Sequence, residues 1–295
     1  MLLLLCVLWA AATLRFDLFP RHAAGLQLSP MVHEAAVLGL FASLTAVMAA
    51  FRKNRWPRGR GLAEAAMVGA WLFVLPLVLT EFARANVDES TRVALFSLTP
   101  LFAVVFEPYL GGDGAAVRRG GFVAAMVAVA GTMLVFPIEI PGSAASFLGF
   151  CAVVASSASI AAANCRGVRA CEKAVDARLS FATVVTIAAA VGLAALSIIV
   201  PQDRANALPL DAWTAPDLGA LGLLFWLMAR MSAVRMTTRF LIAPLLANVV
   251  GLAIVRPHVS WQGWLGSLLI GMASGWLLAG PDEPADASSG TLRIE

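Results

Sequence analysis

The chain contains ten stretches of about twenty mostly apolar residues, separated by short charged connectors. A helix of ~20 apolar residues matches the ~30 Å thickness of the hydrocarbon core of a bilayer. We therefore predict an all-α integral membrane protein with ten transmembrane helices. The stretches cover approximately residues 2–16, 34–51, 63–80, 92–111, 120–137, 146–164, 179–200, 213–229, 237–255 and 261–279.

The composition excludes a soluble enzyme. Hydrophobic residues make up 60% of the 295 residues and charged residues only 13%, and the mean hydropathy is +0.84. So few ionisable groups cannot coat a water-soluble globule of this length. The net charge of +3 does not indicate nucleic acid, because the basic residues lie between the apolar stretches, where membrane topology explains them. The four cysteines lack metal-ligand spacing, so we predict no metal and no cofactor.

The basic residues also predict an orientation. If the N-terminus is cytoplasmic, fifteen of the 21 Lys and Arg residues fall in cytoplasmic segments and six in outer ones. Short cytoplasmic loops carry the excess of Lys and Arg in membrane proteins. We therefore predict a protein of the plasma membrane, namely the bacterial inner membrane, with both termini in the cytoplasm.

The two ends of the chain are the weakest parts of this topology. The first stretch is short and is followed at once by Arg15 and Asp17, so a cleaved signal peptide is an alternative to a retained helix. No basic residue precedes it, which favours the helix. Residues 281–295 are rich in Pro, Asp, Ala and Ser, and we predict a disordered cytoplasmic tail.

The two halves of the chain align without a gap at an offset of 144 residues. Thr99-Pro100-Leu101 then faces Ala243-Pro244-Leu245, and Gly131 faces Gly275. Because each half has an odd number of helices, the second half enters the membrane in the opposite sense. Many secondary transporters build alternating access from such inverted repeats. We predict two five-helix domains, residues 1–138 and 143–280.

The aligned segments resemble the EamA-like branch of the drug/metabolite transporter superfamily. The resembling residues run from Ala83-Arg84-Ala85-Asn86-Val87 through Ala94 to Phe102, then to Gly112-Asp113 and the Gly121–Gly131 helix. The second half repeats the pattern from Ser232-Ala233 through Ala243-Pro244 to Gly266 and Gly275. The resemblance implies a carrier with two five-helix repeats. Two positions depart from the family: Asp113 replaces the usual Glu, and Arg256 reverses the charge in the second half.

Glu107 is the ionisable residue of greatest interest, because it lies inside the fourth apolar stretch. A carboxylate there is unfavourable unless it faces a cavity or a partner, so it is a candidate for function. The alternative is that it reaches water or a basic side chain such as Arg118 or Arg239. At ~100° per residue it shares a helix face with Pro100 and Phe96, which places all three on one wall of a central cavity.

Further candidates are polar or aromatic side chains within the stretches. Buried polar groups must find hydrogen bonds, either from a neighbouring helix or from a bound solute. With Phe96 and Glu107, the predicted substrate-binding residues are Trp9, Trp71, Ser97, Thr99, Ser157, Asn164 and Asn248. Pro100, Pro244 and Gly251 are the predicted hinge or bend positions.

These residues give two functional hypotheses. The first, which the resemblance implies, is a secondary transporter that exports a small organic solute such as an amino acid or related metabolite, with protons as a candidate coupling ion. The second is a membrane protein that does not transport, either a lipid-modifying enzyme or a subunit of an assembly. No catalytic set is visible in the sequence, so we favour the carrier, as a monomer or homodimer in the lipid bilayer.

Overall fold

The described part of the chain folds almost entirely into helices. The structure is a computed structural model that describes residues 1–18, 26–111, 119–173, 175–200, 208–210, 214–255 and 260–279. Its α-helices are α1 (Leu2–Leu18), α2 (Pro30–Phe51), α3 (Arg60–Gly69), α4 (Leu75–Ala83), α5 (Glu89–Phe96), α6 (Thr99–Phe106), α7 (Arg119–Val135), α8 (Ala144–Lys173), α9 (Arg178–Ile199), α10 (Thr214–Met228), α11 (Ala233–Thr237), α12 (Arg239–Val255) and α13 (Trp261–Ala279).

Three short helical segments of other types complete this framework. Ala70–Val74 and Glu107–Gly111 are π-helical, and Val175–Ala177 is a 3-10 turn. The first π-helical segment joins α3 to α4, and the second extends α6. Pro76 and Pro108 lie in or just after these segments, where a proline cannot donate the regular helical hydrogen bond.

Six helical spans in the described residues are long and apolar enough to cross a membrane. They are Pro30–Phe51, Arg60–Ala83, Glu89–Leu110, Ala144–Lys173, Val175–Ile199 and Ala233–Gly251. Three shorter apolar helices cover Leu2–Ala12, Gly120–Val135 and Thr214–Met228. This confirms the coarse prediction of a helical, membrane-embedded protein. The predicted tail, Gly112-Asp113, Arg118 and Arg256 lie outside the described residues.

The purely helical prediction misses one small sheet. Strands β1 (Leu26–Leu28) and β2 (Leu208–Leu210) form an antiparallel pair in which Gln27 is opposite Pro209. They join the connector before α2 to the connector after α9. Strands of three residues carry no readable alternation in sequence, which is why the pattern did not predict them.

Helices α7 and α13 pack against each other in antiparallel directions. Gly120 near the start of α7 lies beside Trp276 near the end of α13, and Gly131 near the end of α7 lies beside Gly266 near the start of α13. A Cβ built on Gly131 would lie 2.9 Å from the Gly266 carbonyl oxygen, and one on Gly266 would lie 2.6 Å from the Gly131 carbonyl oxygen. The two backbones therefore touch, as in other membrane helix pairs built on small residues.

Two further contacts connect elements across the bundle. The Thr183 hydroxyl of α9 donates to the Thr45 hydroxyl of α2 at 2.9 Å, so these helices share a buried polar contact. Between the connector before α8 and the first turn of α5, the Glu139 backbone N–H donates to the Thr91 hydroxyl at 2.9 Å. Each contact fixes the height of one helix or connector against another.

The first helix after the α4 connector has a well-formed N-cap. Asp88 precedes α5 in an extended conformation, and its carboxylate accepts the Thr91 backbone N–H at 3.0 Å and the Ser90 hydroxyl. Partial burial favours the neutral carboxyl, but these hydrogen bonds outweigh it and lower the pKa of Asp88. Ser232, 144 residues later, has the same extended conformation at the start of α11.

We expect Asp88→Ala to lower the free energy of unfolding in detergent micelles by about 1 kcal/mol, because the α5 N-terminus loses its acceptor. Asp88→Asn keeps an acceptor and is the matched control. Since the folded pKa is lowered, the contribution of the charge is present above the unfolded pKa of ~4 and is lost as the pH falls through the folded value. Equal stability of the Ala and Asn variants at neutral pH would contradict the capping role.

Candidate functional site

Two helical spans are interrupted, and they contact each other through α6 and α11. Ser97 and Leu98 separate α5 from α6, and Thr238 separates α11 from α12. At the first break Pro100 cannot donate to the Phe96 carbonyl, and the Thr99 hydroxyl donates to it instead at 2.7 Å. At the second break the Thr238 hydroxyl donates to the Val234 carbonyl at 3.0 Å.

Aromatic side chains gather at these breaks. Phe96 is the last residue of α5, and Phe240 is the second residue of α12. Their rings stack with centroids 6.2 Å apart and an interplanar angle of 16°. The Trp9 ring of α1 lies 5.8 Å from the Phe240 ring on a tilted plane. The structure therefore brings together two of the predicted site residues, Trp9 and Phe96, through a third aromatic side chain that the sequence analysis did not select.

Arg239 is buried beside this aromatic cluster, with only 1% of its surface exposed. Its guanidinium carbon lies 4.7 Å from the centroid of the Trp9 ring and 4.9 Å from that of the Phe240 ring. Neither Nε nor Nη1 has a hydrogen-bond partner in the described part of the chain. By the chemistry of the guanidinium group, these two nitrogens carry three N–H donors.

Burial of the charged Arg239 side chain, without hydrogen-bond partners for Nε and Nη1 among the described residues, is energetically unfavourable. Removing a charged group from water costs several kcal/mol even after the protein relaxes. Each desolvated contact between a cation and an aromatic ring returns about 2 kcal/mol. The rings therefore offset part of the penalty, but they do not replace the missing hydrogen bonds. An ionisable residue held in this way inside a membrane protein is a candidate for function.

Arg239 lies near the start of the apolar stretch 237–255 and counts among the fifteen basic residues assigned to the cytoplasmic side, whereas in the structure its side chain is buried. Arg239 is the first residue of α12 and the seventh residue of the span Ala233–Gly251. At 1.5 Å per residue it lies roughly 9 Å along the helical path from Ala233. The alignment of the two halves could have indicated that Arg239 is buried, because at the offset of 144 residues it occupies the position of the apolar residue Leu95.

Asn164 on α8 is a second buried polar group with an unmet hydrogen bond. Its side chain has no exposed surface, and its amide nitrogen donates to the Ile160 carbonyl at 2.7 Å. The amide oxygen has no partner in the described residues. Ile160, Ala163 and Cys165 around it belong to the same apolar cluster against which Trp9, Phe96 and Phe240 pack.

The hydroxyl groups among the predicted site residues bond within the protein. Ser97 donates to the Ala94 carbonyl at 2.6 Å, and Thr99 bonds Phe96 as described above. The Ser157 hydroxyl lies 3.1 Å from the carbonyl oxygens of both Leu95 on α5 and Val153 on its own helix. All three are buried, so this geometry matches the alternative of helix packing for these side chains.

The remaining predicted residues are Trp71, Glu107 and Asn248. Trp71 is in the π-helical segment before α4, and its ring lies 5.5 Å from the guanidinium carbon of Arg166. Glu107 begins the π-helical segment after α6 and interacts electrostatically with Cys165 of α8. Asn248 is half-buried on α12, one turn beyond Pro244.

The predicted hinge positions occupy different settings. Pro100 is the second residue of α6, directly after the break. Pro244 lies inside α12, which continues past it. A Cβ built on Gly251 would contact nothing within 4 Å, so no close approach of another backbone requires glycine there.

Comparison with known proteins identifies the fold and nothing more specific. No family model matches the sequence, and no curated protein matches it. Among solved structures, 29 chains match. One of them, described only as "Crystal structure of protein", has a TM-score of 0.69 and 14% sequence identity, and the match covers 94% of this chain and 98% of that one. This protein therefore shares its overall fold with a solved structure over nearly the full length of both chains.

Proposed function

We propose that the protein is a secondary transporter of a small organic solute, such as an amino acid or related metabolite, which works by alternating access between two inverted five-helix repeats. The observation that carries the proposal is the stacking of Phe96 on Phe240, two residues that are 144 positions apart. In a duplicated protein, a residue that meets its own counterpart marks the pseudo-two-fold axis. Transporters of this type place their substrate site at that interface, beside discontinuous helices.

Other elements support the same duplication. The N-caps Asp88 and Ser232 are separated by 144 residues, and so are the last residues of α7 and α13, Val135 and Ala279. Counterpart helices that run antiparallel, as α7 and α13 do, are expected when one half is inverted in the membrane. The proposed topology has ten crossings, with domains at 1–138 and 143–280, and it resembles the EamA-like transporters.

The contacts between connectors support the proposed alternation of the connectors between the two sides of the membrane. In the topology with cytoplasmic termini, the connectors that carry β1 and β2 are both outside, and so are Thr91 and Glu139. Ser180, whose hydroxyl donates to the Arg55 carbonyl, lies with Arg55 at the inner side. Every one of these contacts joins segments assigned to the same side of the membrane.

Cysteine labelling tests this orientation. Both Arg55 and Glu89 are exposed, so single cysteines at these positions are expected to be accessible without disturbing the core. In a background without the four native cysteines, a membrane-impermeant maleimide should label position 89 in intact cells and position 55 only after lysis. Labelling of position 55 in intact cells would contradict the proposed orientation.

Counterflow in liposomes tests the function itself. Purified protein is reconstituted into vesicles loaded with unlabelled amino acids, nucleosides, polyamines or sugars, and uptake of the matching radiolabelled solute is followed. We expect transient accumulation of one class of solute and none in protein-free vesicles. Absence of counterflow for every class, together with turnover of a lipid by the same protein, would favour the alternative of a lipid-modifying membrane enzyme.

Glu107 is the proposed site of proton coupling. Glu107→Gln keeps the shape of the side chain and removes its titration. We expect this variant to retain solute exchange and to lose at least about tenfold of the accumulation that a pH gradient drives, since a coupling group must bind and release a proton in each cycle. Both rates are measured on the same vesicles. Unchanged pH-driven accumulation would show that Glu107 has no coupling role.

A further inference from the structure

We infer that Arg239 is the binding residue for the carboxylate of the transported solute, and that the solute is a small organic acid with an apolar body. This inference rests on the proposed carrier function, whose substrate class it defines. Its starting point is the buried guanidinium group at the break between α11 and α12, where Nε and Nη1 have no hydrogen-bond partner in the described residues.

The unmet donors define the chemistry of the ligand. A guanidinium group offers planar pairs of N–H donors that match the two oxygens of a carboxylate, and Nε and Nη1 each belong to such a pair together with Nη2. The guanidinium group belongs to the first residue of α12, a helix of 17 residues. An anion that accepts these hydrogen bonds would complete the polar contacts that Arg239 lacks.

The internal alignment shows that the fold itself does not require a charge at this point. Leu95 occupies the position of Arg239 in the first half, and both residues are 1% exposed. The same architecture is thus completed by an apolar side chain in one half and by an arginine in the other. Packing of the fold therefore does not require an arginine at position 239, whereas binding of an anionic ligand explains its presence.

The surroundings of Arg239 define the rest of the solute. Trp9 and Phe240 contact the guanidinium group, and Phe96 stacks on Phe240. These rings offer a solute an apolar surface and no charge. A monocarboxylate with an aliphatic or aromatic body fits this surface. Arg239 would neutralise its charge, and its apolar body would pack against the aromatic rings.

The test compares carboxylates with amides of the same shape. The full-length protein in detergent is titrated, by thermal shift, with L-phenylalanine, 3-phenylpropanoate and 4-methylpentanoate, and with the three corresponding amides. We expect the best carboxylate to bind at least about tenfold more tightly than its amide, and Arg239→Met to weaken carboxylate binding at least about 30-fold. Binding of the amide should change by less than about threefold, since the rings remain.

Matched variants separate charge recognition from damage to the fold. Arg230 is exposed and its guanidinium carbon lies 4.3 Å from the Trp226 ring, so Arg230→Met removes a similar contact with an aromatic ring outside the site. It should leave carboxylate binding unchanged. If Arg239→Met fails to fold, Arg239→Gln replaces it, because Gln keeps polarity and removes the charged guanidinium group.

The inference would be overturned by equal affinity for a carboxylate and its amide, or by unchanged carboxylate binding in the Arg239 variants. It would also be overturned if no carboxylate binds at up to about 10 mM, which is about tenfold above the upper end of ordinary KM values. Chloride and inorganic phosphate are titrated in parallel, and binding of these ions alone would also overturn it. Because these measurements need no transport, counterflow of a neutral solute with no carboxylate preference would remove this inference and leave the carrier function standing. Carboxylate binding without counterflow of any solute would leave this inference standing and argue against the carrier function.

Discussion

Replacing Arg239 with Met is expected to raise the free energy of unfolding, by about 1–4 kcal/mol, although Arg239 is among the most buried side chains in the protein. The variant removes a charge that has two nitrogen atoms without hydrogen bonds and keeps an unbranched side chain of similar length. The lost contacts with Trp9 and Phe240 reduce the gain but do not reverse it. Reversible unfolding in mixed micelles measures the difference.

Two other variants serve as controls for the Arg239→Met measurement. Arg230→Met, at an exposed position, should change the free energy of unfolding by less than about 0.5 kcal/mol. Leu95→Arg places a second guanidinium group at the equivalent buried position in the first half and should destabilise the protein by at least about 3 kcal/mol. A loss of stability in Arg239→Met would show that the arginine serves the resting structure, and would argue against a site that waits for an anion.

Replacing Gly266 with Leu is expected to lower the free energy of unfolding by about 3 kcal/mol, because α7 and α13 cannot remain in backbone contact. The first added carbon alone would lie 2.6 Å from the Gly131 carbonyl oxygen and 2.8 Å from a Val135 methyl group. Of these neighbours, the carbonyl belongs to the backbone and cannot turn away. The two helices must therefore separate along their length.

Gly271 provides the control on the same helix. A Cβ built there meets nothing within 4 Å, and the position is exposed on the surface of the bundle. Gly271→Leu should leave stability unchanged or raise it by up to about 1 kcal/mol, since Gly is a poor helix former. Equal free energies of unfolding for the two Leu variants would contradict this prediction. The close packing of α7 on α13 would then not be what stabilises the pair, and the glycine at position 266 would reflect helix propensity or lipid contact.

The sequence predicts the helices of this protein well, because a long apolar stretch in lipid has few alternatives to a helix. The breaks within them were less visible. Pro100 indicates a bend, but the interruption at Thr238 precedes Pro244 by more than one turn and has no proline of its own. The pair of three-residue strands at Leu26–Leu28 and Leu208–Leu210 had no signal either, since their contact is decided by the positions of α2 and α9.

The site was harder to predict than the fold for a different reason. Polar residues such as Ser97 and Ser157 look the same in sequence whether they bind a solute or a neighbouring carbonyl, and here both donate to backbone oxygens. Arg239 was overlooked because a basic residue near the end of an apolar stretch ordinarily belongs to the cytoplasmic surface. Only the packing of Trp9 and Phe240 around it distinguishes a buried arginine from a loop residue.

The antiparallel contact of α7 with α13 has a consequence for biosynthesis. The last residue of α7 is Val135 and the last residue of its partner is Ala279, so the ribosome adds 144 residues between them. At a translation rate of 5–20 residues per second, roughly 7–30 s pass between the completion of α7 and the completion of α13. During that interval the Gly131 surface faces lipid or the insertion machinery. The first half of this protein can therefore reach its final packing only after the last helix has left the ribosome.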